Sequence, residues 1–348
     1  MTGCSIHATA PVRIADNGGW TDTWFARHGF VVNISVVPGV DVTLHACASG
    51  HADATVTYAT EGDSRIHVYE PGSGHQGAHP LLEAAIDFLG VPEGLALDIR
   101  IASAVPPGAS TGTSASVTVA LLASLARLHD SVMTPMQLAM GAHHVEMDIL
   151  GWQCGVQDQI AAAFGGINAI VIDAFPAVRV EPLGLAPALA RRLEERLVLV
   201  YLGASHHSSD VHRLVIAVLE QEGEASPRLE RLRRCAGEAR DALLVGDLER
   251  FGRSLSANTA AQGRLHPAVI GEAAREVIAI AAGHGASGWK VNGAGGEGGS
   301  VTILSGPDVT SHARMLAAIA SAVPQSRVIP IALSPRGVRT EMTIDREA

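Results

Sequence analysis

The spacing of apolar positions changes along the chain. Residues 30–37 and 41–46 are dense in β-branched side chains and end in turn residues, and 95–101 repeats the pattern, so the first third is expected to be strand-rich. From Ser114 the spacing becomes helical, with Val117, Leu121, Leu122, Leu125 and Leu128 on one broad face. A second helix is predicted over 135–150. Residues 169–172 and 197–202 read as strands on either side of the Arg-rich, Pro-containing segment 174–196, where a domain boundary is expected. Helical patterns at 209–223, 226–245, 247–261 and 266–284 follow. A strand at 300–304, a helix near 307–322 and a strand near 327–333 complete the chain. The pattern predicts an α+β protein of two domains, residues 1–190 and 191–348.

Composition narrows the class. A length of 348 residues suits about two domains of ordinary size. Hydrophobic residues make up 47% and charged residues 17%, which argues against long disordered or coiled-coil segments. The net charge is −10 and Lys290 is the only lysine, so no basic face for nucleic acid is expected. Cys4, Cys47, Cys154 and Cys235 are too scattered for a disulfide framework or a CxxC metal site and suit a reducing compartment. The first residues lack the charged start and apolar stretch of a secretory signal, and no run of about 18 apolar residues occurs, so no membrane partner and a cytoplasmic location are expected.

Glycine is the informative excess. The chain has 37, more than a tenth of its residues, against a usual share of about 7%. They cluster at Asn17-Gly18-Gly19, at 106–112 and at 293–299. The stretch from Val105 to Ser116 places small and hydroxyl residues before a strongly apolar helix. A helix N-terminus has free N–H groups and partial positive charge, so it can hold phosphate without lysine. The same residues would also serve as an ordinary Ser/Thr-capped helix after a turn. The stretch lacks the GK[ST] ending of a P-loop and is not GxGxxG. Glu146 precedes Asp158 by twelve residues across a helix end and Gly151, a spacing that lets two acids converge. Phosphoryl transfer needs one acid to help hold a metal and one to orient or deprotonate the attacking hydroxyl. Read alone, Glu146 and Asp148 are equally solvated helix charges, Arg13 a salt-bridge partner and Asp22 a cap. His206, His207 and His212 form a further cluster; the five-residue spacing of the last two does not share one helical face, and Ser209 or Asp210 reads as an N-cap, so a metal there is not favoured.

Taken in order, the three glycine regions resemble the GHMP kinases, the superfamily of galactokinase, homoserine kinase, mevalonate kinase and phosphomevalonate kinase, over nearly the whole length. The first motif is similar to residues 10–22, and the second to Pro106–Ala115, with Ser110 and Thr111 replacing the usual Gly-Leu and Thr113 the first Ser. The third, Gly-Ala-Gly-x-Gly-Gly, is intact at 293–299. The resemblance implies an N-terminal mixed α/β domain with the ATP loop, a C-terminal ferredoxin-like α+β domain and an active site in the cleft between them. It implies ATP on Pro107, Gly108, Ala109, Ser110, Thr111, Gly112, Thr113 and Ser114, and Mg²⁺ on Ser114 and Glu146. Asp158 of the Gly-x-x-Asp-Gln motif is then the catalytic base, with Arg13 beside the transferred phosphoryl group. Gly19, Thr21, Asp22, Gly293 and Gly295 would contact the acceptor.

Within the superfamily, residues 18–23 look like L-fucokinase and 158–168 like D-glycero-D-manno-heptose 7-phosphate kinase. The activity this implies is transfer of the ATP γ-phosphoryl group to O1 of a sugar or sugar phosphate, most like the heptose-phosphate enzyme. An L-fucokinase-like or other hexose 1-kinase is the alternative. Both relatives carry a Thr-Gly-x-x-Arg segment where this chain has His206 and His207, and here that arginine is missing. The partners expected are a small-molecule sugar or sugar phosphate and a second copy in a homodimer. Two readings of other classes remain: a non-catalytic sugar or nucleotide sensor, allowed by the altered second motif but opposed by Asp158 and Glu146, and a decarboxylase of a diphosphorylated acid, opposed by the scarcity of bases.

Overall fold

The computed structural model describes residues 3–50, 54–63, 65–203 and 208–344. Its elements are β1 (Cys4–Asn17), β2 (Gly29–Ala48), β3 (Thr55–Thr60), β4 (His67–Tyr69), α1 (Pro80–Leu89), β5 (Leu95–Ser103), α2 (Thr113–Leu128), α3 (Pro135–His144), α4 (Gln157–Phe164), β6 (Ile167–Ala174), β7 (Ala177–Pro182), α5 (Pro187–Arg196) and β8 (Leu197–Tyr201), followed by α6 (Ser208–Glu222), α7 (Pro227–Leu244), α8 (Leu248–Gln262), α9 (Glu272–Gly283), β9 (Gly288–Val291), β10 (Ser300–Leu304), α10 (Val309–Ala322), β11 (Arg327–Ile329), β12 (Ala332–Leu333) and β13 (Arg339–Ile344).

Two sheets organise these elements. The nine-stranded sheet runs β13-β1-β2-β5-β3-β4, with β6 and β12 also on β2 and β7 on β6. The second sheet is antiparallel, β11-β8-β10-β9, the 4-1-3-2 order of a ferredoxin-like unit. The chain crosses back at its end: β12 pairs with β2 and β13 with β1. No helix among the described residues is long and apolar enough to cross a membrane.

Several elements differ from the sequence reading for identifiable reasons. The strands expected at 30–37 and 41–46 are one strand, β2, whose first part pairs with β6 and whose last part pairs with β5. β1 alternates only as far as Ala10, because from Pro11 to Asn17 every residue is buried. Segment 174–196 carries β7 and α5 rather than irregular chain; α5 starts on Pro187 and hides only a narrow stripe. The helix expected at 135–150 starts on a Thr134–Gln137 capping box with Pro135 behind it, but changes to a π turn over Val145–Ile149. Residues 266–284 divide into a short 3₁₀ turn, Pro267–Val269, and α9.

Packing follows from these faces. One core lies between the large sheet and α1–α4, where Leu44, Tyr58, Ile86, Leu97, Leu121, Leu122 and Ile160 are sealed. A second joins Val12, Ile34 and Ala169 to Ala236, Leu243 and Phe251 of α7 and α8. The smaller sheet has its own core against α9 and α10, with Val200, Val277, Ile303 and Ile319. The turn after β1 is anchored separately, through Trp20, Phe25, Leu219, Leu229 and Val269. The ends of β1 and α2 therefore meet the second unit along one line.

Candidate active site

Because the second half of β1 is buried on both faces, its polar residues point into the interior. Arg13 is 5% exposed and Asp16 1%. Arg13 donates from Nε to Asp158 Oδ1 at 2.8 Å and from Nη2 to Oδ2 at 3.1 Å, a forked pair that fixes the carboxylate plane. Its Nη1 donates to the Ser110 carbonyl, and its backbone N–H donates to the Thr111 carbonyl at 2.9 Å. Burial pulls the Arg13 pKa down, but Asp158 and Asp16 more than offset that, so the guanidinium is charged throughout the working range.

The segment between β5 and α2 wraps over this pair. Gly112 takes φ +73°, and a Cβ there would sit 3.0 Å from Asp158 Cγ. The loop backbone thus passes directly over the carboxylate, a path open only to glycine. The first turn of α2 follows, with Ser114 exposed to the cleft and Ser116 tied by its Oγ to the Pro11 carbonyl at 2.7 Å. A helix beginning at such a loop presents free N–H groups to an anion.

Three carboxylates converge opposite the loop. Asp158 stands in the first turn of α4 and is 28% exposed. Glu146 comes from the π turn after α3 and is 5% exposed. Its Oε1 is buried without a hydrogen-bond partner. Burial, reinforced by the negative charge of Asp158, pushes its pKa up to about 7. Asp22, 2% exposed, accepts from the Gln157 N–H at 3.1 Å, so it caps α4 from across the fold. Burial is also the main cause that raises Asp22, to about 6. The close approach depends on Gly155, where a Cβ would lie 2.1 Å from Asp22 Oδ2. The Cys154 thiol is raised by burial and by the same acids, and it is held protonated.

These groups line a cleft of about 580 Å³. Of the residues expected at the site, Arg13, Pro107 through Ser114, Asp22, Glu146, Asp158 and Gly293 all line it. Gly19, Thr21 and Gly295 do not. Thr21 is fully buried and its hydroxyl donates to the Gly18 carbonyl at 2.7 Å. Gly19 lies against Asp16 and Gln157, and Gly295 packs under the loop against Val269. His206 and His207 lie outside the described residues, whereas His212, on α6, meets Trp20 edge-on at 4.8 Å and borders the cleft.

The sequence reading passed over several contributors. Trp20, Trp24, Phe25 and Trp152 add aromatic side chains to the cleft lining. Asp16 receives the Gly293 N–H at 3.2 Å and the Lys290 ammonium at 3.2 Å. Asn292 accepts from the Ala15 N–H at 3.1 Å and from Thr302 Oγ1 at 2.9 Å. Lys290 carried one signal, as the only lysine in a chain otherwise supplied with arginine.

The residues fit a divalent cation and a polyphosphate. An orphaned, buried carboxylate oxygen on Glu146, an exposed hydroxyl on Ser114 and a helix N-terminus form an oxygen-rich, anion-facing set.

Comparisons with known proteins bear on the fold and the family. Residues 79–166 match the GHMP kinases N terminal domain. The chain is 24% identical over 322 residues to the bifunctional fucokinase/GDP-fucose pyrophosphorylase of Arabidopsis thaliana, covering 87% of this chain but 30% of that protein. This chain therefore spans less than a third of that relative. It is 23% identical over 304 residues to the D-glycero-alpha-D-manno-heptose 7-phosphate kinase of Campylobacter jejuni, covering 84% of this chain and 88% of that one. The crystal structure of a D-glycero-D-manno-heptose 1-phosphate kinase from Bacteriodes thetaiotaomicron shares the fold, with a TM-score of 0.74 at 20% identity over 97% of this chain and 98% of that one.

Proposed function

We propose that this chain, whose residues 79–166 match the GHMP kinases N terminal domain, is a kinase of that type that transfers the γ-phosphoryl group of ATP to the anomeric O1 of a sugar. The observation that carries the reading is the forked Arg13–Asp158 pair lying directly beneath the Gly112 backbone. A carboxylate held in one plane, at the mouth of a phosphate-holding helix, is placed to take the proton of an attacking hydroxyl. Arg13 fixes that carboxylate and contributes a permanent positive charge beside the site of transfer. The N–H groups of the 107–114 loop and of α2 hold the phosphate oxygens, and Asp22 with the aromatic side chains of the lining orients the acceptor ring. Glu146 and Ser114 are the residues that would hold Mg²⁺, whose chemistry here is neutralisation of phosphate charge.

A specific observation favours an uncharged acceptor over a sugar phosphate. Among the described lining residues Arg13 is the only Arg or Lys, and both of its forked donors engage Asp158. A second phosphate on the acceptor would meet Asp22 and indole rings in place of a cation. An L-fucokinase-like hexose 1-kinase is the form of the activity this lining supports.

The test is ADP release with Mg-ATP against free hexoses, L-fucose and heptose 7-phosphate, with phosphorus NMR of the product. A new phosphorus signal coupled to an anomeric proton is expected, with a free sugar as the better acceptor. Preference for the heptose phosphate would restore that substrate and reject the uncharged-acceptor reading. Binding of sugar or ATP without turnover on any acceptor would reject the kinase reading in favour of a sensor.

A further inference from the structure

A second cluster of ligating side chains lies away from the cleft, where β4 forms one end of the large sheet. Asp63 sits in the turn after β3, His67 opens β4, and His79 immediately precedes α1. One carboxylate oxygen of Asp63 and one ring nitrogen of each histidine lie within 4.8 Å of one another. Asp63 Oδ2 is already 2.9 Å from His67 Nε2. None of the three residues lines the cleft.

Packing holds the three in place. Tyr58, 1% exposed, stacks on His67 at 5.3 Å and 22°, and His79 meets Tyr58 and His67 edge-on at 5.7 and 5.3 Å. The Tyr58 hydroxyl is tied to Glu83 at 2.7 Å, so the platform beneath the imidazoles is fixed. One observation points to a missing partner. His79 Nε2 is buried and has no hydrogen-bond partner. A buried donor or acceptor without a partner is costly, and coordination is one way to relieve it. Asp63 Oδ1 accepts from the Arg65 backbone N–H at 3.0 Å and from its Nε at 3.2 Å, which leaves Oδ2 as the oxygen that faces His67.

We propose that Asp63, His67 and His79 form a binding site for one divalent transition-metal ion, zinc in the first instance, which clips the turn after β3 to the start of α1. Two imidazoles and one carboxylate are an N/O set suited to zinc, with water completing the tetrahedron. Bonds of about 2.0–2.2 Å place ligand atoms about 3.2–3.5 Å apart, within about 1.5 Å of the present separations. His67 also lines a cavity of about 520 Å³ beside the cluster. The clip would bear on stability and not on phosphoryl transfer, because it touches an edge of the sheet and not the cleft.

The experiment is zinc titration of the chelator-stripped full chain against a chromophoric chelator, with millimolar Mg²⁺ present to fill oxygen-ligand sites. One equivalent is expected to bind at micromolar concentration or tighter and to raise the melting temperature by several degrees. His79→Ala and Asp63→Asn should each bind at least tenfold more weakly, with their circular dichroism unchanged. Cobalt on the wild-type chain gives a readout that needs no variant: intense visible bands of a four- or five-coordinate ion, abolished by added zinc, are expected. Equal zinc affinity in wild type and His79→Ala, or only the faint spectrum of hexahydrated cobalt, would overturn the proposal.

Discussion

Two glycine-containing loops that meet at the cleft do opposite work. In the loop from Pro107 to Ser114, Pro107 and Ser114 are exposed and most of the rest is half-buried, with the backbone turned toward the cleft. In the loop from Gly293 to Gly299, every residue but Gly293 and Glu297 is buried. The second loop is bound by protein: the Gly293 N–H goes to Asp16, the Gly293 carbonyl accepts from Gln262 at 2.6 Å, and Ser300 Oγ reaches the Ala109 carbonyl at 2.5 Å. Glycine leaves the first open to the cleft and lets protein pack against the second. The second loop is thus the bed on which the first rests, and the Asp16–Lys290 pair is its anchor. A glycine-rich motif therefore does not by itself say which of these two tasks it performs.

Variants can break this contrast, and the largest effect should fall on the cleft side. Asp158→Asn should lower turnover by about 10³-fold or more while ATP affinity stays within a few-fold, read by single-turnover kinetics and nucleotide titration. Comparable losses in both would place Asp158 in binding and not in proton transfer. On the buried side, Lys290→Met leaves Asp16 charged and without its ammonium, and should cost about 3 kcal/mol or more in a denaturant melt. The Michaelis constant for ATP in the folded fraction should change little. Gly295→Ala belongs with it: its φ is +73° and a Cβ would meet the Val269 carbonyl at 2.1 Å, so stability should fall by about 2–3 kcal/mol.

Smaller effects separate the acids. Glu146→Gln should raise the magnesium needed for half-activity by about tenfold or more, and an unchanged magnesium titration would remove Glu146 from that role. Because the Glu146 pKa is raised to about 7, protons compete with the metal, and the wild-type magnesium requirement should rise about tenfold for each pH unit below that value. The same shift has an opposite sign for stability. The folded chain binds a proton that the unfolded chain has already released, so without magnesium the melting temperature should fall between about pH 4.5 and 7, and Glu146→Gln should flatten that slope. The smallest effect is on the acceptor. Asp22→Asn keeps an oxygen for the Gln157 N–H, so α4 stays capped, and sugar affinity should drop by about tenfold with ATP affinity unchanged.

Much of the architecture was legible before any coordinate. Strand β10 and helices α2, α7, α8 and α10 were expected within about two residues of where they lie, because β10 is a short apolar run between turn residues, α2 is densely apolar, and α7, α8 and α10 each have one buried face and an exposed one. The second half of β1 was not legible, since burial on both faces leaves no alternation to read. The residues of the cleft divide in the same way. Arg13, Asp22, Ser114, Glu146 and Asp158 stand in local patterns that a sequence can display, and their expected convergence matches the cleft they line. Asp16 and Lys290 are separated by most of the chain, and Gly293 and Gly295 are indistinguishable as letters, although one lines the cleft and the other lies under it.

By itself the sequence determined the α+β class, the apolar faces and the order of the glycine-rich segments, because periodicity and backbone freedom are local properties. Only the tertiary structure decided which glycine loop is open to the cleft, which carboxylate lost its solvent and gained a raised pKa, and which cation sits beneath Asp16. Those outcomes depend on desolvation and on contacts between residues far apart in the chain, and neither is written in the spacing of neighbours.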